Sequence, residues 1–189
     1  MPKKAYKNKI IIPRIRFLPQ GEGFDTKLAA FGYESIWQAE GQRLIKAYYN
    51  LTNLRFWYKK MTVLVVPSYT SEAGRRYRRM RLSAYKFSQE ERLRVLSHEL
   101  AHRLLLGNGI EAYGKTSRFY DHYYIDLFLF DAWVQLYGAE TAKQYVEQEQ
   151  TGLLDAYGHA WKKSLALSFT ERQETLRRII SRVPKQHLA

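Results

Sequence analysis

Cysteine is absent from the 189 residues. A disulfide framework, thiolate ligation of a metal and a cysteine nucleophile are thereby excluded, so any metal ion has to sit on His, Asp or Glu. Proline is scarce, at positions 2, 13, 19, 67 and 184 only, so no proline interrupts a helix between Pro67 and Pro184. The N-terminus is basic, and its apolar run Ile10-Ile11-Ile12 stops at Pro13, with Arg14 and Arg16 following. Neither a signal-peptide core nor a membrane span is expected there, and a soluble cytoplasmic protein is the expectation. Linkers rich in Gly, Pro or Ser are also missing, as are repeats, which predicts one domain over 1–189 with residues 1–20 as a basic N-terminal arm.

Acidic residues are in short supply, 18 against 31 Lys and Arg, for a net charge of +13. The imbalance is uneven: residues 1–120 sum to +14, residues 121–160 to −6 and residues 161–189 to +5. Such a basic excess suggests nucleic acid or another polyanion as a partner, or else a solvated surface that keeps the chain soluble. What is abundant is apolar and aromatic: 46% hydrophobic residues and 15 Tyr, enough to bury a core without metal or disulfide support.

The spacing of Trp37, Leu44, Ile45, Tyr48 and Tyr49 predicts a helix over 25–50, with Asn50 and Asn53 as its stop. The β-branched run 61–66, ended by Pro67, predicts a buried strand, and SYTSEAG after it reads as a turn. From Arg78 to Tyr85 the chain alternates, setting Met80, Leu82 and Ala84 against Arg79, Arg81 and Ser83, the pattern of an edge strand with a charged outer face. Ser88-Gln-Glu-Glu91 is a capping box that opens a helix running to Gly107-Asn108-Gly109. Further helices are expected at 118–137, 139–149, 152–167 and 170–182, the last opened by Thr170-Glu-Arg-Gln173. The fold class is therefore α+β: an N-terminal helix and small sheet, the helix 88–107, then an all-helical C-terminal part.

That helix carries His98-Glu99-Leu-Ala-His102. Histidines four apart stack on one helical face and can aim two imidazole nitrogens at one ion, while Glu99, turned by roughly 100°, can reach a water held there. Leu93, Leu96, Leu100 and Leu104 form an apolar stripe, as expected of a helix within a core. Glu99 and Arg103 are also spaced as an i,i+4 ion pair, which would depress the carboxylate's pKa and weaken it as a base. A third ligand is expected from residues 118–126. His122 is one choice; the other makes His122 a core histidine bonded to Asp126, with Asp121 or Asp126 supplying the ligand oxygen. His159 in AYGHAW is either an oxyanion donor or a surface residue, and His187 carries no role.

The pattern resembles the gluzincins, the thermolysin-like zincin metallopeptidases, in which HExxH is followed on a second helix by a glutamate ligand and, four residues later, by an aspartate that bonds the first motif histidine. Nineteen residues separate His102 from His122, similar to the short spacing in that family. The resemblance implies zinc on His98, His102 and His122, Glu99 as general base, Asp126 in the place of the supporting aspartate and Tyr113 where a transition-state-stabilising tyrosine is found. Histidine replaces the family's glutamate, giving three imidazoles as in SprT-like proteases and metzincins. The metzincin glycine position is Leu105, and no His-Gly pair of the SprT-like kind follows the motif.

These readings predict a zinc-dependent metallopeptidase acting on a peptide or protein substrate, with no membrane partner. Arg78, Arg79 and Arg81 lie on the strand that in zincins pairs with substrate, and would favour acidic peptides or contact a polyanion. The rival expectation is a basic nucleic-acid-binding or scaffolding protein whose HExxH is accidental, resting on Lys3–Arg16 and on the cluster Arg75-Arg-Tyr-Arg-Arg-Met-Arg81.

Overall fold

In Arg14-Ile-Arg-Phe-Leu-Pro19 charged and apolar residues alternate, the two-residue period of a strand with one wet face. In the computed structural model, which describes residues 10–21, 23–73, 79–85, 87–111, 117–151 and 155–183, this stretch is β1 (Arg14–Pro19), with Ile15 and Phe17 buried and Arg14 and Arg16 exposed. The sequence reading gave these residues to a basic arm. They are instead a sheet strand, paired in parallel with β2 (Lys60–Val66) from Arg14 opposite Lys60 to Pro19 opposite Val65.

A parallel pair needs a crossover, and α1 (Phe24–Thr52) supplies it, 29 residues and about 44 Å long. Gly41 lies in its interior because a Cβ there would sit 2.6 Å from the Trp37 ring, one turn earlier. The helix stops at Asn53, which takes the left-handed conformation at φ 56° and donates its N–H to Tyr49 O at 2.7 Å.

β3 (Met80–Ser83) pairs in parallel with β2, giving the order β1-β2-β3. Met61, Val63, Val65, Met80 and Leu82 join Ile15 and Phe17 on the buried face. Two features differ from the sequence expectation. Residue 72, read as part of a turn, pairs antiparallel with Arg81: Glu72 N–H donates to Arg81 O at 2.9 Å, and Arg81 N–H to Glu72 O at 2.8 Å. The outer edge of β3 is thus covered at Arg81 by its own chain, with Ser71 Oγ accepting from Ser83 N–H at 2.9 Å.

α2 (Gln89–Gly107) opens with the expected reciprocal cap. Ser88 Oγ accepts from Glu91 N–H at 3.1 Å, and the Glu91 carboxylate accepts from Ser88 N–H at 2.7 Å. Its far end is held by Asn108, whose side-chain amide donates to Arg55 O (3.0 Å) and Leu104 O (2.8 Å) and accepts from Trp57 Nε1 (3.0 Å).

The C-terminal part is α3 (Ser117–Tyr137), α4 (Ala139–Gln150), α5 (Asp155–Leu165) and α6 (Phe169–Ser181). The cap of α6 is Ser168 with Glu171, not Thr170 with Gln173. Ser168 is the last extended residue, whereas Thr170 already lies inside the helix and its main chain cannot serve as a cap. Arg172 forks onto Asp131 of α3 at 3.0 and 2.6 Å, fastening α6 to the core, and Trp133 and Trp161 stack at 5.7 Å where α3 meets α5. The fold is α+β, helix-rich, with a small parallel sheet. No helix among the described residues is long and apolar enough to cross a membrane.

Candidate metal centre

On α2, Leu96, Leu100 and Leu104 face the core, which turns His98, Glu99 and His102 toward the junction with α3, α4 and α5. Ser97 is pinned from both sides: Tyr48 Oη donates to its carbonyl at 2.6 Å and Trp133 Nε1 to its hydroxyl at 2.9 Å. This fixes the rotation of α2 just where the motif begins.

His98, His102 and His122 converge. Their ring centroids are 4.9 Å (98 to 102), 5.3 Å (98 to 122) and 4.7 Å (102 to 122) apart, and one ligand nitrogen from each lies within 4.8 Å of the other two. His122 Nδ1 lies 2.7 Å from Arg118 O, so it carries the proton and donates, while Nε2 is buried and has no hydrogen-bond partner among the described residues. His98 Nδ1 is likewise occupied, 2.9 Å from the Glu149 carboxylate. In both rings the outer nitrogen is engaged and the other is left for the centre of the cluster, the arrangement that an acceptor on one ring nitrogen imposes when the other is to hold a metal ion.

Glu149 was not singled out from the sequence. It also accepts from Arg94 at 3.2 Å and Trp161 Nε1 at 3.1 Å. Burial alone would raise its pKa, but His98, Arg94 and Trp161 together hold it below the usual carboxylate range. Burial likewise pulls His98 down, and the charge and hydrogen bond of Glu149 outweigh that, leaving the imidazole above its ordinary value. The signal was present in the helical spacing: Ala142, Tyr145, Val146 and Glu149 share the buried face of α4.

Glu149 fills the role expected of Asp126. Asp126 is fully buried, and neither carboxyl oxygen has a hydrogen-bond partner among the described residues. Burial and the nearby Glu149 charge push its pKa well up from the ordinary carboxylate range. The Nδ1 of His98 is engaged by Glu149 instead.

Glu99 is 7% exposed, and burial pushes its carboxyl up to about 7. His98 pulls it down, Glu149 and Glu72 push it up, and a hydrogen bond from the Ala73 main chain steadies the charged form. The guanidinium of Arg103 lies over the Tyr58 ring at 4.9 Å. Where the spacing of Glu99 and Arg103 predicted a depression, burial dominates and the net shift is an elevation. Burial and the two neighbouring imidazoles lower His102 well below its ordinary value, and burial lowers His122 to about 3.

Tyr157 of α5 closes one side, stacked on His122 at 3.7 Å and 6.3 Å from the His98 ring. Burial and the Glu99 charge raise its pKa. The sequence reading named His159 in the same segment. On a helix, Tyr157, Ala160 and Trp161 share a face and His159 points away, and His159 is exposed. Tyr113 and Arg78 lie outside the described residues. Arg79 and Arg81 are exposed, and Arg81 pairs with Glu72 at 3.3 Å.

Compared with protein-family models, with curated proteins and with solved structures, the chain matches none.

Proposed function

We propose that this chain is a zinc-dependent peptidase of the zincin kind, with His98, His102 and His122 as ligands and Glu99 as general base. The observation that carries the reading is the orphaned Nε2 of His122. A buried ring nitrogen without a partner among the described residues costs about 1–3 kcal/mol, and here it faces two other imidazoles that with it make a three-nitrogen donor set. Drawing three such nitrogens onto a tetrahedral ion with bonds of 2.0–2.1 Å would bring them to roughly 3.4 Å from one another, a closure within the reach of side-chain rotation. Imidazole donors suit zinc, and such a bound ion supplies Lewis acidity and lowers the pKa of water toward ~7.

The chain's own groups do the rest. Glu99, with its carboxyl near 7, is matched to taking a proton from water and delivering it to a leaving amine. The Ala73 N–H steadies the charged form, and burial favours the protonated one, so both states are accessible near neutrality. Tyr157 stands over His122 with its hydroxyl protonated at working pH, a donor for an oxyanion on that side. Glu72 uses its N–H and C=O on Arg81, and the Ala73 main chain next to it turns the other way and bonds Glu99. That rim fits an extended peptide better than the β3 arginines named from the sequence, which sit behind it.

The experiment is elemental analysis of tag-free protein, wild type beside His98→Ala and His122→Ala, with a Glu99→Gln variant assayed on a quenched fluorescent peptide library. About one zinc per chain in the wild type, lost in both histidine variants, is expected. Glu99→Gln should keep the zinc and lose about 10²-fold or more in cleavage rate. Wild-type protein that takes up no zinc on reconstitution, or a Glu99→Gln variant as active as the wild type, overturns the reading.

A further inference from the structure

Parallel sheets are ordinarily covered on both faces, because their crossovers put helices on each side. Here α1 and α2 are the helices packed against the strands, and the apolar core side chains of the sheet lie on one face; on the other face Val66 and Ser83, at its C-terminal corner, are buried as well. The opposite face carries Arg14 and Arg16 of β1, Lys60 of β2 and Arg81 of β3, all exposed, and the exposed Arg79 continues the alternation one residue before β3. The register sets Arg14 beside Lys60. Strands ~4.8 Å apart and side chains of one face ~6.6 Å apart along a strand place these cations on a patch of roughly 10 by 13 Å.

We infer that this sheet face is a docking surface for the sugar-phosphate backbone of nucleic acid. Among the described residues, Arg14, Arg16, Lys60 and Arg79 make no ion pair, and the single acid at the edge, Glu72, engages Arg81 alone. Four of the five cations are arginine, the side chain whose planar fork matches phosphate oxygens. In sequence, both flanks continue the charge, with Lys3, Lys4, Lys7 and Lys9 ahead of β1 and Arg75, Arg76 and Arg78 ahead of β3. The strands themselves put no aromatic side chain on this face, so binding to it follows charge rather than base sequence. Its apolar members are Leu18 and Leu64, both partly buried, and Val66, buried, so the strands put no exposed apolar side chain on this face to enter a bilayer. The inference does not rest on the peptidase reading.

Fluorescence anisotropy with a labelled 20-base-pair DNA and a 20-nucleotide RNA tests it, comparing wild type with Arg14→Gln/Arg16→Gln/Lys60→Gln and with an equal-charge control, Lys27→Gln/Lys46→Gln/Lys162→Gln, whose lysines are exposed on helices. Binding by the wild type is expected to weaken steeply with salt. The sheet variant should bind about tenfold or more weakly at 0.1 M salt, with the slope of log K against log salt flattened by about 2–3, while the control loses much less. Matching melting temperatures and zinc contents for both variants keep the result separate from folding and from the metal centre. Equal losses in the two variants, no nucleic-acid binding by the wild type, or tighter binding to phosphatidylserine vesicles than to either nucleic acid overturns the inference.

Discussion

Replacing Glu149 asks whether His98 is held in place by its neighbour or by its helix alone. One carboxylate, 6% exposed, receives His98 at 2.9 Å, Trp161 at 3.1 Å and Arg94 at 3.2 Å. Glu149→Ala strands a guanidinium and two ring N–H groups in the interior and should cost about 3–5 kcal/mol. At about 2–4 °C per kcal/mol for a chain of this size, the melting temperature of metal-free protein falls by roughly 6–20 °C. Glu149→Gln keeps the shape and one acceptor but loses the charge, for a cost of about 1.5–3 kcal/mol. With its orienting partner weakened, His98 should bind zinc less well, and affinity should drop about 10–100-fold in a competition titration against a chromophoric chelator. Glu147→Gln is the control: it removes the same charge from an exposed position on the same helix and should stay within about 0.5 kcal/mol of wild type. If Glu149→Gln melts and binds zinc as Glu147→Gln does, Glu149 does not position His98 and the account of the centre is wrong.

Gly41→Ala should destabilise by about 1 kcal/mol net in urea melts, because a contact 2.6 Å from the Trp37 ring outweighs the better helix propensity of alanine; a gain would mean the ring swings aside freely. Asp126→Leu removes a buried carboxyl without a hydrogen-bond partner among the described residues and should stabilise by about 1–3 kcal/mol with zinc content unchanged; lower stability or lost zinc would show that Asp126 has a partner or a role at the centre. Above pH 10 stability should decline. Burial raises the pKa of Tyr33 and Tyr48 in the folded chain, so from about pH 10 the unfolded chain loses protons that the folded chain keeps, and each tyrosine lowers stability by about 1.4 kcal/mol per pH unit. Urea melts at pH 9, 10 and 11 with tyrosinate absorbance give the slope; ionisation of all tyrosines before unfolding would contradict the burial.

The motif helix was legible because its signals are local: the Ser88–Glu91 cap, the leucine stripe and the Gly107–Gly109 stop lie within the helix or beside it. The β-branched run of β2 was legible for the same reason. β1 was not, because its identity as a strand depends on Lys60, far along the chain, and arginines that alternate with apolar residues between two prolines read equally well as a basic arm. Glu72 was hidden similarly, since only the return of the chain at Arg81 turns that residue of a polar loop into a paired edge. At the centre, His98, His102 and His122 announce themselves by type and spacing. Glu149 and Tyr157 do not, since both acquire meaning only when α4 and α5 cross onto α2 and α3, a packing decision made by Trp133, Tyr145 and Trp161.

The last turn of a helix is normally the first to fray, and its amides then exchange with solvent through small local openings. Asn108 closes that route in α2. Its side chain ties the carbonyl of Leu104 to the strand-side segment at Arg55 and Trp57, and its own N–H caps the turn onto Leu104 and Leu105. Deuterium uptake at residues 104–108 should therefore keep pace with the slowest amides of the core rather than with a helix end. His98 and His102 sit between two fastened termini, so the helix that presents them opens as one unit with the core.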